Sequence, residues 1–143
     1  MKRSFTLTEL LIVVVIVGVL TTLAVNQYGS VRERTLSREA IANLKLIAAA
    51  ERIYNMEQGF FYPITATGGP DSQESWTIIN NNLRLSINER NWNYKVSSLA
   101  GNDFEAAADR QGGPGGYLDC EYKLKKNTPD DEPVPTVPAD CAQ

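Results

Sequence analysis

The feature that most constrains this chain is the run KRSFTLTELLIVVVIVGVLTTLAV, Lys2 to Val25. From Phe5 to Val25 every residue is apolar, small or threonine, with the single exception of Glu9. As a helix the run measures about 31 Å, close to the hydrocarbon thickness of a bilayer. The flanking charges on its short side are Lys2 and Arg3, so the N-terminus is expected to stay cytoplasmic and the rest of the chain to face outward. Thr22-Leu23-Ala24 also offers a small-x-small site of the secretory kind, which keeps open a soluble secreted or periplasmic binding protein with a cleaved leader. Two features oppose that alternative. Glu9 falls where signal peptides are apolar, and the helical pattern runs past Ala24 without a break.

The remainder is sized for one modest domain. Net charge is −3 and no later stretch is strongly basic, so nucleic acid is not an expected direct partner. The absence of histidine removes the commonest general base and metal ligand. No nucleophile–base pair, phosphate loop or metal motif stands out, so neither an enzyme nor a cofactor or metal site is expected.

Beyond Gln27 the pattern turns amphipathic. Leu36, Ala40, Leu44, Ile47, Ala50 and Tyr54 recur every three or four residues, while Arg34, Arg38, Lys45 and Arg52 take other faces. No proline intervenes before Pro63, and Gly59 is a natural stop. One helix is therefore predicted over about 5–58, with its second half needing cover from the downstream chain. Residues 65–75 read as a loop with Gly68-Gly69-Pro70 as breakers, and a short helix is predicted over 75–82, pinned by Trp76, Ile78 and Ile79. Three runs then alternate as half-buried strands: Trp92, Tyr94, Val96; Phe104, Ala106, Ala108; and Leu118, Cys120, Tyr122, Leu124. Residues 99–103 read as a hairpin turn, and 111–116 as a glycine-rich loop. The expected architecture is α+β: a long N-terminal helix with a small antiparallel three-stranded sheet packed on its C-terminal half. A proline-rich tail over 127–143, with Pro129, Pro133, Pro135 and Pro138, is expected to be extended and irregular.

The string Arg3-Ser4-Phe5-Thr6-Leu7-Thr8-Glu9-Leu10-Leu11 resembles the class III signal of type IV pilins and pseudopilins: a basic leader, a small residue, Phe-Thr-Leu-x-Glu, then a long apolar helix. Three positions depart from the family pattern. Ser4 stands where glycine is usual, Thr8 replaces a large aliphatic residue, and Asn26 occupies a position where many pilins have proline before Gln27-Tyr28. The resemblance implies a leader of residues 1–4, cut between Ser4 and Phe5 by a prepilin peptidase that also methylates the Phe5 amine. It implies a membrane and filament-core segment over 5–26 and a head over 27–143, with loop 59–90, sheet 91–126 and tail 127–143. It also implies a helical homo-oligomeric filament built on an assembly platform, with Glu9 setting register against the Phe5 amine of another copy. Local melting of the helix, linked to the missing proline, would fall to Gly18, Thr21 and Thr22, since glycine weakens a helix by about 1 kcal/mol relative to alanine and β-branched threonine is a poor former. Before assembly the chain would be a single-pass inner-membrane protein; afterwards it would lie in an extracellular pilus, serving adhesion, twitching motility or DNA uptake, or in the periplasmic pseudopilus of a type II secretion system.

Outside the cytoplasm Cys120 and Cys141 are expected to pair, as that compartment permits disulfides; two free thiols are the plainer alternative. Closing the loop of about 22 residues is worth about 3 kcal/mol in the chain-entropy picture. Asp130-Asp131-Glu132 is read as a solvated acidic tail rather than a calcium site. Tyr28, Tyr54, Phe60, Phe61 and Tyr62 are read as packing aromatics. Mass spectrometry of the purified protein is expected to find an N-methylated Phe5 as the mature terminus; a terminus at or near Val25 would instead mark a secreted soluble protein.

Overall fold

A computed structural model of the chain describes residues 6–64, 71–73, 75–100, 102–112, 120–126 and 134–137, with the side chains at 23–27, 30 and 134–137 outside that description. One helix, α1, runs unbroken from Leu7 to Gln58. It ends where Gly59 takes a left-handed backbone, φ 85°, and donates its N–H to the Asn55 carbonyl at 2.8 Å. A side chain there would be strained, which is why glycine marks the stop. The chain divides into two compact units, Met1–Thr35 and Leu36–Gln143, and α1 contributes to both.

In the second unit the core-facing stripe of α1 is the predicted one. Ala40, Leu44 and Ile47 are fully buried, Ala50 nearly so, and Leu36 and Tyr54 pack at the edge. They share one core with Trp92, Tyr94, Val96, Phe104, Tyr122 and Leu124. The sheet that supplies this cover is an antiparallel meander of β1 (Ser72–Gln73), β2 (Trp92–Leu99), β3 (Asp103–Arg110), β4 (Glu121–Lys125) and β5 (Val134–Val137), in that spatial order. Buried residues alternate along β2, and again at Tyr122 and Leu124 of β4, so one face meets the helix. Hydrogen bonds pin β2 and the residue before it to the helix: Trp92 Nε1–H to the Leu36 carbonyl at 2.9 Å, Asn43 Nδ2–H to Tyr94 Oη at 2.7 Å, and, just before the strand, Asn91 Nδ2–H to Glu39 Oε2 at 3.3 Å. Burial pushes the Tyr94 phenol up to about 12, against the Asn43 hydrogen bond.

The structure corrects the expected sheet at both edges. The three predicted strands are its centre, and β1 and β5 flank them. A two-residue strand leaves no alternation to read, and Val134–Val137 contains Pro135, which removes a ladder donor and so disguises an edge strand as irregular tail. The predicted stretch Gly68-Gly69-Pro70 and residues 113–119, including Leu118, lie outside the described residues. The short helix α2 (Trp76–Leu83) forms as expected, but Ile79 and Leu83 are its buried residues, whereas Trp76 and Ile78 are 39% and 43% exposed. The Asn80 side chain ties off the segment after it, donating to the Ile87 carbonyl at 2.8 Å and accepting the Ile87 N–H at 2.9 Å.

On the outer sheet face Ala107 is buried although the alternation assigns it outward. Lys95 and Lys123 flank it in register, and the apolar stems of lysines cover such a position. Arg110, at the end of β3, is buried over the Trp92 ring, 5.7 Å from its centroid, and its Nη1 donates to the Asn91 carbonyl at 2.8 Å. The charge is thereby paired with a π face and a carbonyl, the condition under which a guanidinium tolerates burial.

The two faces of α1 make a direct test. Leu44→Ala is expected to cost about 2–5 kcal/mol, because it opens a cavity in a closed core, and Leu46→Ala, an exposed leucine, about 0.5 kcal/mol or less. Denaturant unfolding of the detergent-solubilised chain measures both; equal losses would overturn the assignment of one covered face, and a larger loss at Leu46 would put the core on the other face.

Candidate assembly surface on the N-terminal helix

Described residues begin at Thr6, so Ser4 and Phe5 of the predicted cleavage and methylation site lie outside them. Glu9 is described, and its surroundings carry an interaction that the sequence reading missed. Thr6 and Glu9 form a capping box: Glu9 Oε2 accepts the Thr6 backbone N–H at 3.0 Å and its Oγ1–H at 2.8 Å, while the Glu9 N–H reaches Thr6 Oγ1 at 3.3 Å. The signal was present as threonine followed three residues later by glutamate, ahead of an apolar run. It satisfies donors that the first helical turn otherwise leaves open, and it sets a negative group at the positive end of the helix dipole. Within a single chain the carboxylate therefore has local partners and remains exposed.

Past that turn the helix is apolar on every side. From Leu10 to Val17, and at Val19 and Leu20, each residue is 53–61% exposed, so among the described residues nothing covers any face. A helix of this kind needs lipid or other apolar helices around it. Among the described residues no helix is long and apolar enough to cross a membrane. The apolar side chains described there stop at Thr22, about 25 Å of helix from Thr6, and Leu23, Ala24 and Val25, which extend the run, fall among the undescribed side chains. Gly18, Thr21 and Thr22 lie within unbroken helix. The threonine hydroxyls bond back to carbonyls, Thr21 to Val17 and Thr22 to Val19, each at 2.7 Å, and such back-bonding competes with the helix ladder.

In the second unit α1 carries another apolar line. Leu46, Ala49, Ile53 and Met56 recur every three or four residues and are exposed, at 47%, 53% and 77% for Leu46, Ile53 and Met56. Leu46, Ala49 and Ile53 form one wall of a groove of about 320 Å³ whose other wall is Leu83 and Leu85, with Glu57 and Arg84 paired at 3.6 Å on its rim. These residues were absent from the sequence reading because the buried stripe already accounted for the period.

The aromatics sort unequally. Tyr54 meets Phe60 and Tyr62 edge-on at 5.9 and 5.8 Å, and Phe61 packs on Phe104 at 5.0 Å, whereas Tyr28 is 73% exposed. Cys120 is buried and disulfide-bonded, while Cys141 lies outside the described residues, as does Asp130-Asp131-Glu132. Among the described residues no cluster of potential metal ligands occurs.

Residues 1–25 match the family model of the prokaryotic N-terminal methylation motif. Over 142 residues the chain is 28% identical to a type IV major pilin protein, PilA, of Myxococcus xanthus (strain DK1622). That alignment covers 95% of this chain and 57% of the relative, so the chain spans little more than half of its relative's length. No solved structure matches the chain. In its N-terminal motif, and along most of its own length, the chain is thus similar to a type IV pilin.

The capping box generates its own test. Thr6→Ala is expected to loosen the first turn by about 1 kcal/mol. The Glu9 amide would then exchange its hydrogen roughly fivefold faster in micelles, and an unchanged rate would show that the cap contributes nothing there.

Proposed function

We propose that this chain is the structural subunit of a type IV pilus filament, stored in the inner membrane and polymerised through its N-terminal helix. The observation that carries the reading is the band from Leu10 to Leu20, exposed on all sides and headed by one carboxylate. Such a band is stable among lipid tails before assembly and among sister helices afterwards. Prepilin peptidase would cut between Ser4 and Phe5 and methylate Phe5, and an assembly platform would lift the subunit out of the bilayer. The filament would lie outside the cell, with Cys120 joined to Cys141 in its head.

Glu9 explains how sliding apolar helices find one register. A carboxylate inside a bilayer costs about 2.5–3.5 kcal/mol on insertion scales, and the Thr6 contacts offset part of that in the single chain. The Phe5 amine of a neighbouring copy offers a full opposite charge only at one axial stagger, so attraction and alignment come from the same pair. The exposed line Leu46, Ala49, Ile53, Met56 gives the head-bearing half of α1 a further apolar contact in the packed state.

Glu9→Leu is expected to insert and accumulate normally while filament yield falls at least about tenfold, a loss of about 1.4 kcal/mol per docked pair being enough. Electron microscopy of sheared surface filaments reads this out, and wild-type yield from the variant would sink the register role. In a deletion strain, missing surface pili support the pilus reading; intact pili with failed protein secretion would move the chain to a type II secretion pseudopilus.

A further inference from the structure

Glu51 sits on the core-facing stripe of α1, between Ile47 and Tyr54, yet it is a carboxylate with no exposed surface. Its Oε2 accepts the backbone N–H of Tyr62 at 2.9 Å, and its Oε1 meets no hydrogen-bond partner among the described residues. Tyr62 lies just after the helix stop and is a junction. Its ring meets Tyr54 edge-on, its hydroxyl accepts Asn82 Nδ2–H of α2 at 3.3 Å, and its neighbour Phe61 packs on Phe104 of β3. One buried side chain of α1 thus holds the strap that leads from the helix to the rest of the head.

We propose that Glu51 is a proton-operated latch: as a neutral carboxyl it clasps the Tyr62 amide and keeps Phe60–Pro63 on the core, and on ionising it releases that strap. An ionised carboxylate needs several donors or a cation when it leaves water, and here a single N–H is supplied. The titratable groups that bear on the site are the phenols of Tyr54 on its own helix and Tyr62 on the strap. Nearby cations are engaged elsewhere: Lys126 lies 5.1 Å over the Phe61 ring, and Arg52 is on the exposed side of α1. Burial pushes the Glu51 carboxyl up to about 8, with the Tyr62 N–H pulling it down. Burial also raises the Tyr62 phenol above its usual value, away from this range.

The sign follows from proton uptake. Between the ordinary carboxyl value of 4.5 and about 8 the folded chain holds a proton that the unfolded chain has lost. Stability from this group is therefore complete below 4.5 and declines as pH rises towards 8, by up to about tenfold in the folded-to-unfolded ratio per pH unit. The latch concerns the head alone and stands whether or not the chain polymerises.

The test uses the full chain in detergent micelles from pH 5 to 9, as wild type and as Glu51→Gln, whose amide keeps the acceptor for Tyr62 and carries no titrating proton. The wild type is expected to lose thermal stability, and protection of the Tyr62 amide against hydrogen exchange, as pH rises, while the variant stays level. Parallel profiles would overturn the latch. Should the variant fail to fold, direct titration of the Glu51 carboxyl by NMR in the wild type decides: a midpoint several tenths of a unit or more above 7 supports it, and one near 4.5 overturns it.

Discussion

Leu44 and Ile47 of α1, closed off by Trp92, Tyr94 and Phe104 of the sheet, are the contact on which the head depends. An amphipathic helix of this length gains little from its own hydrogen bonds in water and much from covering its apolar stripe. The sheet has the same need, since an antiparallel meander with one apolar face is unstable until that face is covered. The rest of the head adjusts to this pairing. Gly59 turns the chain back at the helix end, Asn55 Nδ2–H meets Asn102 Oδ1 at the β2–β3 turn at 3.0 Å, and Trp92 reaches the Leu36 carbonyl with its indole N–H.

Along the apolar run of α1, Leu10 to Leu20, no described residue supplies such cover. Its residues are as apolar as those of the buried stripe, but they are distributed around the whole circumference. Segregation of covered and uncovered apolar surface along one helix is what distinguishes a subunit from a self-sufficient domain. The capping box at Thr6 and Glu9 belongs to the same logic: it keeps the carboxylate that heads the apolar run occupied by its own turn.

Much of this was legible in the residues. The spacing of Ala40, Leu44 and Ile47 marked the covered face, Gly59 marked the stop, and the alternation of Trp92, Tyr94 and Val96 marked a strand. The edges were not legible, because Ser72–Gln73 is too short for a pattern and Pro135 argues locally against pairing that the neighbouring strand imposes. Glu51 was hidden for a different reason. Its position, four beyond Ile47 and three before Tyr54, puts it on the apolar stripe, but residue type alone assigned it to water. The exposed Trp76 and Ile78 show the converse error, since large apolar residues on a two-turn helix need not both face inward.

The outer margins of the sheet bear on how such a chain survives at high local density. Rows of unpaired amides on a long flat border invite strand-by-strand stacking between molecules, the route to amyloid. Here one border is only two residues long and the other carries an imino acid, so neither offers a continuous template. Disordered stacking of one sheet border on another is thereby discouraged at its point of entry.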